Sequence, residues 1–198
     1  MQARWSPDGT KIVFLKDEKA HWQLWTMSPA DPAKATLLAQ PEISGIVDWT
    51  PDGKTIIAFD SQRLLWVGLD GKQQRSLPLD QIYGKQFQWM GSDHLRFDPK
   101  NADRLSVSAY YMETIKGAVM DEMDLTATVF LYDTKAKTRK VILDTKTFFG
   151  HDGEWSPDGQ WLYFTRMEKP RVYAVWRVRP DGTGLEKVVA GEQAVVAP

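Results

Sequence analysis

Trp5-Ser6-Pro7-Asp8-Gly9 is the stretch on which the fold turns. It recurs as Trp49-Thr50-Pro51-Asp52-Gly53 and as Trp155-Ser156-Pro157-Asp158-Gly159, and a worn copy stands at Trp89-Met90-Gly91-Ser92-Asp93. The tryptophans are 44, 40 and 66 residues apart. Proline presets its own φ for the second position of a turn, aspartate bonds the nearby backbone, and glycine accepts a positive φ without a Cβ clash. Each copy is therefore a tight turn.

The runs that follow, 11–16, 55–60, 94–98 and 161–166, place apolar residues two apart. Ile12 and Phe14, Ile57 and Phe59, Leu95 and Phe97, and Leu162 and Phe164 are the pairs. A spacing of two is that of a strand with an inner and an outer face.

A second register supports the first. Gln23-Leu24-Trp25, Leu64-Leu65-Trp66 and Ala174-Val175-Trp176 come at similar distances after their turns, and Val129-Phe130-Leu131 is the equivalent in the third unit. Seven of the nine tryptophans thus fall on one of two repeat positions. Asp70-Gly71 and Asp181-Gly182 mark a later turn, with Lys135-Ala136-Lys137 as its degraded form. The runs 36–40, 74–79, 139–144 and 186–190 supply a fourth strand.

Each unit reads as strand, Pro-Asp-Gly turn, strand, loop, strand, Asp-Gly turn, strand. A period near forty with four strands per unit predicts an all-β β-propeller of about four blades. A lone four-stranded sheet cannot bury both faces, so adjacent blades must stack, and the repeated aromatics belong between them. A tryptophan-lined ligand cage is the alternative reading of these rings.

Composition narrows the function classes. The chain has 198 residues, 42% of them hydrophobic, enough for a sizeable core in one domain spanning 1–198. Twenty-five basic residues against 26 acidic ones leave a net charge of −1. Nucleic-acid binding therefore lacks its electrostatic footprint. No apolar run reaches the length of a membrane span, so membrane insertion is not expected. The chain has no cysteine, which excludes disulfides, cysteine catalysis and thiolate metal sites.

The motif Trp-Ser-Pro-Asp-Gly, then a strand with a phenylalanine, an aromatic strand and Asp-Gly, resembles the TolB-like propeller repeat. Three copies are similar closely and one loosely. The resemblance implies a periplasmic or extracellular binding module. Similar repeats also occur in the propellers of prolyl-oligopeptidase-like serine peptidases and in sugar-lyase-like enzymes. The motif speaks for the fold and not for one function.

Catalytic residues are not expected. No Gly-x-Ser-x-Gly elbow is present, and Ser6 and Ser156 sit in turns. His21, His94 and His151 fall at non-equivalent positions without ligand-like spacing, so neither a metal nor a cofactor is expected. His151 and Asp152 precede a Trp-Ser-Pro-Asp-Gly, where propellers line their channel, and are candidate ligand contacts. The third unit is the longest, and its extra material falls at 99–125. Insertions in repeat folds often carry the binding face. Tyr110, Tyr111 and Met112 are therefore candidate contacts to a protein or peptide partner.

Both ends of the chain lie in the same phase of the repeat. A ring closed by four blades and a piece of a larger propeller both fit. In the second case unpaired edges and faces would favour self-association.

Overall fold

In the computed structural model, each Pro-Asp-Gly is a hairpin turn locked by the hydroxyl residue before the proline. The Ser6 hydroxyl donates to Asp8 Oδ1 at 2.6 Å and accepts from the Lys11 N–H at 2.9 Å. Thr50 makes the same two bonds with Asp52 and Thr55, at 2.7 and 3.1 Å. Ser156 bonds Asp158 and accepts from the Trp161 N–H at 2.9 Å. Gly9, Gly53 and Gly159 take φ of 68, 66 and 70°, the left-handed region that a Cβ disfavours.

The structure describes residues 3–18, 21–39, 43–88, 95–112, 127–143, 150–169 and 172–191. The chain divides into two compact units, Met1–Leu79 and Asp80–Pro198. In the first, blade 1 is β1 (Ala3–Trp5), β2 (Ile12–Glu18), β3 (His21–Ser28) and β4 (Asp31–Ala39). Blade 2 is β5 (Gly45–Trp49), β6 (Thr55–Phe59), β7 (Arg63–Gly68) and β8 (Gln73–Pro78). A five-residue helix, α1 (Leu79–Tyr83), and a two-residue strand, β9 (Phe87–Gln88), come next.

In the second unit, blade 3 is β10 (Leu95–Asp98), β11 (Asn101–Tyr111), β12 (Ala127–Asp133) and β13 (Thr138–Leu143). Blade 4 is β14 (Gly150–Trp155), β15 (Leu162–Lys169), β16 (Val172–Val178) and β17 (Glu186–Ala190). All four sheets are antiparallel meanders in chain order, and β9 adds itself to β11. The fold is all-β, with four four-stranded blades of the β-propeller type.

Packing within each unit explains the repeat. In the first unit, Val13, Leu15, Leu24 and Leu38 of blade 1 share a buried cluster with Trp49, Ile56, Ala58, Leu65 and Val67 of blade 2. In the second, Val129, Leu131 and Leu143 of blade 3 share one with Trp155, Leu162, Phe164 and Val178 of blade 4. The blades approach closely at their turns: a Cβ on Gly71 would lie 2.0 Å from the Leu38 carbonyl oxygen. We call the face carrying Trp49 or Trp155 the leading face of its blade, and the opposite one the trailing face.

Three sequence expectations are corrected. The worn copy 89–93 lies outside the described residues. The first turn of blade 3 is made instead by Phe97-Asp98-Pro99-Lys100-Asn101. Leu95–Asp98 is consequently the first strand of that blade, pairing Phe97 with Leu105, and not the second strand. The stretch from Asn101 to Tyr111, assigned above to an insertion at 99–125, is the second strand. It pairs with β10 on one side and β12 on the other, and its Leu105, Val107 and Ala109 are wholly buried.

Two of the tryptophans also depart from expectation. Trp25 pairs with Phe14 and Trp176 with Phe164, as does Phe130 with Val107. Trp66 instead pairs with Ile57, one residue out of phase, and so lies on the trailing face. The strands β6 and β7, of 5 and 6 residues, are shorter than β2 and β3 or β15 and β16, and a shift of one residue moves a strand side chain to the other face. Trp5, expected between blades, is 60% exposed. Trp89 lies outside the described residues.

Candidate functional site

The partner-contact candidates Tyr110, Tyr111 and Met112 end β11. Tyr110 pairs with Gln88 and Tyr111 with Phe87, and the Met112 N–H donates to the Gln86 carbonyl at 2.9 Å. The Phe87 ring lies 5.1 Å from Tyr111 and 5.0 Å from Phe130, stacked on the latter. Tyr83 of α1 meets Phe130 edge-on at 6.3 Å. Burial holds the Tyr83 phenol well above its ordinary pKa. The Arg139 guanidinium lies 5.5 Å from both the Phe87 and Phe130 rings. The half-buried Tyr110, Tyr111 and Met112 are thus stitched to β9, whose Phe87 caps the leading face of blade 3.

His151 and Asp152 sit in β14, the first strand of blade 4, where the His151 backbone is paired with Thr165. Their side chains fall outside the described residues. The structure does not bring these two candidates together with the Tyr110 group on any described contact. Among the described residues no cluster of three or more His, Cys, Asp or Glu could hold a metal ion.

A groove that the sequence reading missed lies between blades 3 and 4, on the side of the Pro-Asp-Gly turns. It encloses about 420 Å³ and is lined by Arg104, Lys140, Gln160, Arg179, Pro180 and Asp181. A smaller hollow of about 200 Å³ shares Arg104, Lys140 and Pro180 with it and adds Asp133, Thr138 and Arg139. The lining comes from four places: β11, β13, the residue after Gly159, and the β16–β17 turn.

Each cation is held by a specific contact. Arg104 forms an ion pair with Asp98, whose side chain is fully buried, and its guanidinium stands 5.4 Å from the Trp155 ring centroid. The Arg179 guanidinium lies 4.4 Å over Trp161, which also carries Arg177 at 4.2 Å. Lys140 Nζ donates to the Asp181 carbonyl at 3.3 Å. The Asp181 carboxylate accepts from the Thr183 hydroxyl at 2.7 Å and N–H at 2.8 Å. Those bonds, with Lys140 and Arg179 nearby, hold its pKa below the usual carboxylate value.

Stacking on an indole limits the rotation of a guanidinium while leaving its N–H groups directed outward. The lining presents three cations to one carboxylate, with no nucleophile–base pair. Chemically it can accept a carboxylate through charge-assisted hydrogen bonds. The signal was absent from the sequence because Arg104 and Arg179 are 75 positions apart, and because β11 was taken for a loop.

Among the described residues no helix is long and apolar enough to cross a membrane. No protein-family model matches the chain, and no curated protein sequence matches it. Solved structures do. An oligogalacturonate lyase in complex with manganese superposes with a TM-score of 0.69 at 19% identity, over 96% of this chain and 52% of the lyase. TolB from Acinetobacter baumannii gives 0.64 at 14% identity, over 96% of this chain and 43% of TolB. A puromycin hydrolase S511A mutant complexed with PGG gives 0.60 at 16%, over 98% of this chain and 29% of the hydrolase. The chain spans about half or less of the length of these proteins. At such identities the likeness establishes the β-propeller fold, shared by TolB, a lyase and a hydrolase.

Proposed function

We propose that this chain is a non-catalytic β-propeller module that binds an acidic peptide segment of a protein partner in the groove between blades 3 and 4. The observation that carries the reading is the convergence of Arg104, Lys140 and Arg179 on one open groove of about 420 Å³. The chain as a whole is nearly neutral, so this local excess of cations marks one place on its surface. An extended peptide suits an open groove floored by turns, and carboxylate side chains suit guanidinium groups presented on tryptophans. The likeness to TolB supports a place in the cell envelope for such a module.

Calorimetric titration with a hexaglutamate peptide tests the reading, with a hexaglutamine peptide and an oligogalacturonate as comparison ligands. Binding of hexaglutamate alone is expected, weakened about tenfold or more by Arg179→Glu and reduced by added salt. Equal binding of hexaglutamine, or wild-type affinity in Arg179→Glu, would sink it. Preference for the oligogalacturonate would replace the peptide by an acidic sugar.

A further inference from the structure

The Trp161 ring carries two guanidinium groups, and their surroundings differ. Arg177 lies 4.2 Å from the ring centroid and is closed off by its neighbours. Its Nε donates to Glu186 Oε1 at 2.6 Å, and a terminal N–H donates to the Tyr163 hydroxyl at 3.4 Å. Arg179 lies 4.4 Å from the same centroid and is exposed. Among the described residues no side-chain hydrogen bond or ion pair holds the Arg179 guanidinium, and the indole is its support. Arg177 has thus spent its donors within the blade, whereas Arg179 keeps its own.

Local structure fixes both the ring and the arginine. The Trp161 N–H donates to the Ser156 hydroxyl and its carbonyl accepts from the Ser156 N–H, both at 2.9 Å. The indole therefore leaves the backbone at the end of a locked Pro-Asp-Gly turn. The Arg179 N–H donates to the Thr183 carbonyl at 2.9 Å, and its carbonyl accepts from the Gly182 N–H at 2.8 Å. The β15–β16 ladder, with Leu162 opposite Val178, brings these two turns of blade 4 together. Gly184 lets them close. It takes φ 67°, and a Cβ there would lie 3.3 Å from two atoms of the Trp161 ring and 3.6 Å from Arg179 Nε. Gln160, the residue before Trp161, lines the groove together with Arg179.

We propose that Trp161 is the positioning residue of the groove: its ring holds the Arg179 guanidinium so that the N–H fork meets a carboxylate of the bound peptide. The inference rests on the acidic-peptide reading given above and names the residue that stands behind it. An exposed arginine has several rotatable bonds, and binding must freeze them. A ring that already restricts the guanidinium reduces that cost, and indole is the strongest of the aromatic platforms. A planar cation on a planar ring directs its in-plane N–H groups outward, where they match the two oxygens of a carboxylate. An ammonium offers no such plane. Trp161 carries no charge, so it acts on affinity without altering the charge of the groove.

Titration of hexaglutamate into Trp161→Leu, Trp161→Phe, Arg179→Lys and the double variant Trp161→Leu/Arg179→Lys tests it. Each variant is first shown to keep its far-ultraviolet β spectrum and a cooperative melt. Trp161→Leu is expected to bind about three- to fivefold more weakly. Its affinity should fall with salt as steeply as that of the wild type, because no charge is lost. Trp161→Phe is expected to recover most of the affinity. Arg179→Lys should weaken the wild type and change Trp161→Leu little, because the guanidinium plane counts only while the ring holds it. A readout without ligand accompanies the titration: in nuclear magnetic resonance spectra the indole ring current is expected to move the Arg179 side-chain protons upfield, and Trp161→Leu to abolish the shift. Should Trp161→Leu not fold, Arg179→Lys and the ring-current shift carry the test. Wild-type affinity in Trp161→Leu or in Arg179→Lys, no recovery in Trp161→Phe, or Arg179 protons without the upfield shift overturns the proposal. A wild-type chain that shows the shift but does not bind hexaglutamate overturns the acidic-peptide reading itself, and the role of Trp161 falls with it.

Discussion

The indole N–H of Trp155 donates to the carbonyl oxygen of Arg96 at 3.3 Å, across the seam between blades 3 and 4. Trp49 makes the same bond to Arg4 at 3.2 Å. The pair identifies Arg96-Phe97 as the counterpart of Arg4-Trp5, and so places the true start of blade 3. It also makes each buried tryptophan both a filler of the core and a donor with a fixed acceptor, as buried indoles require.

Trp155→Ala should therefore cost about 3–5 kcal/mol. Trp155→Phe keeps most of the ring and removes the indole donor, while the Arg96 carbonyl still accepts from the Ser106 hydroxyl at 3.3 Å, and should cost about 0.5–1.5 kcal/mol. Trp5→Ala should shift stability by about 0.5 kcal/mol or less, because the ring is 60% exposed. Urea denaturation of the three variants checks the order. Equal losses for Trp5 and Trp155 would contradict the exposure difference.

Leu105→Ala should destabilise by about 2–5 kcal/mol, because its side chain is wholly buried in the second strand of blade 3. A surface loop at 99–125 would instead tolerate the change. The denaturation midpoint separates the two, and a loss below about 0.5 kcal/mol would favour the loop.

Lys137 adopts φ 57° in the turn between β12 and β13. The corresponding turns of blades 2 and 4 place Gly71 and Gly182 at φ 77 and 94°. Lys137→Gly relieves the Cβ clash of the left-handed region, against the greater chain entropy that glycine brings to the unfolded state. The net effect expected is a gain of about 0.5–1 kcal/mol, visible as a higher melting temperature. A lower one would show that the Lys137 side chain contributes more than its backbone costs.

Acid should loosen the turns. The Ser6 hydroxyl, and then the Thr10 N–H, lower the Asp8 pKa from 3.8 to about 2. The Thr50 hydroxyl lowers Asp52 and the Ser156 hydroxyl lowers Asp158, each helped by a backbone N–H. A carboxylate with a depressed folded-state pKa stabilises the fold fully above its unfolded pKa. That contribution is lost as pH falls through the folded value. Stability should thus decline from about pH 4 to about pH 2. Asp8→Asn should flatten part of the decline in melts recorded at stepped pH. An unchanged slope would mean that the Asp8 bonds persist in the unfolded chain.

Much of this was legible in residues alone. Pro-Asp-Gly turns are local events, decided by the φ of proline and glycine and by a hydroxyl two residues from a carboxylate. Their spacing therefore announced four-stranded blades before any contact was known, and the last strands at β4, β8, β13 and β17 followed from the same period. Blade 3 escaped because Phe97-Asp98-Pro99-Lys100-Asn101 takes the same turn position with other letters and a shifted register. Asp98 there accepts the Lys100 N–H at 2.8 Å, and no glycine is needed.

The turns, the strand period and the four-stranded units depend on neighbours along the chain, and so could be read from residues. Which face each ring takes, which tryptophans are covered and where the cations gather are set by packing between strands and blades. Trp66 changes face by a one-residue difference in strand pairing, Trp5 is open while Trp49 is closed, and Arg104 meets Lys140 and Arg179 across a seam between blades. Those outcomes depend on what stands on the far side of a sheet, and residues far apart in sequence supply it.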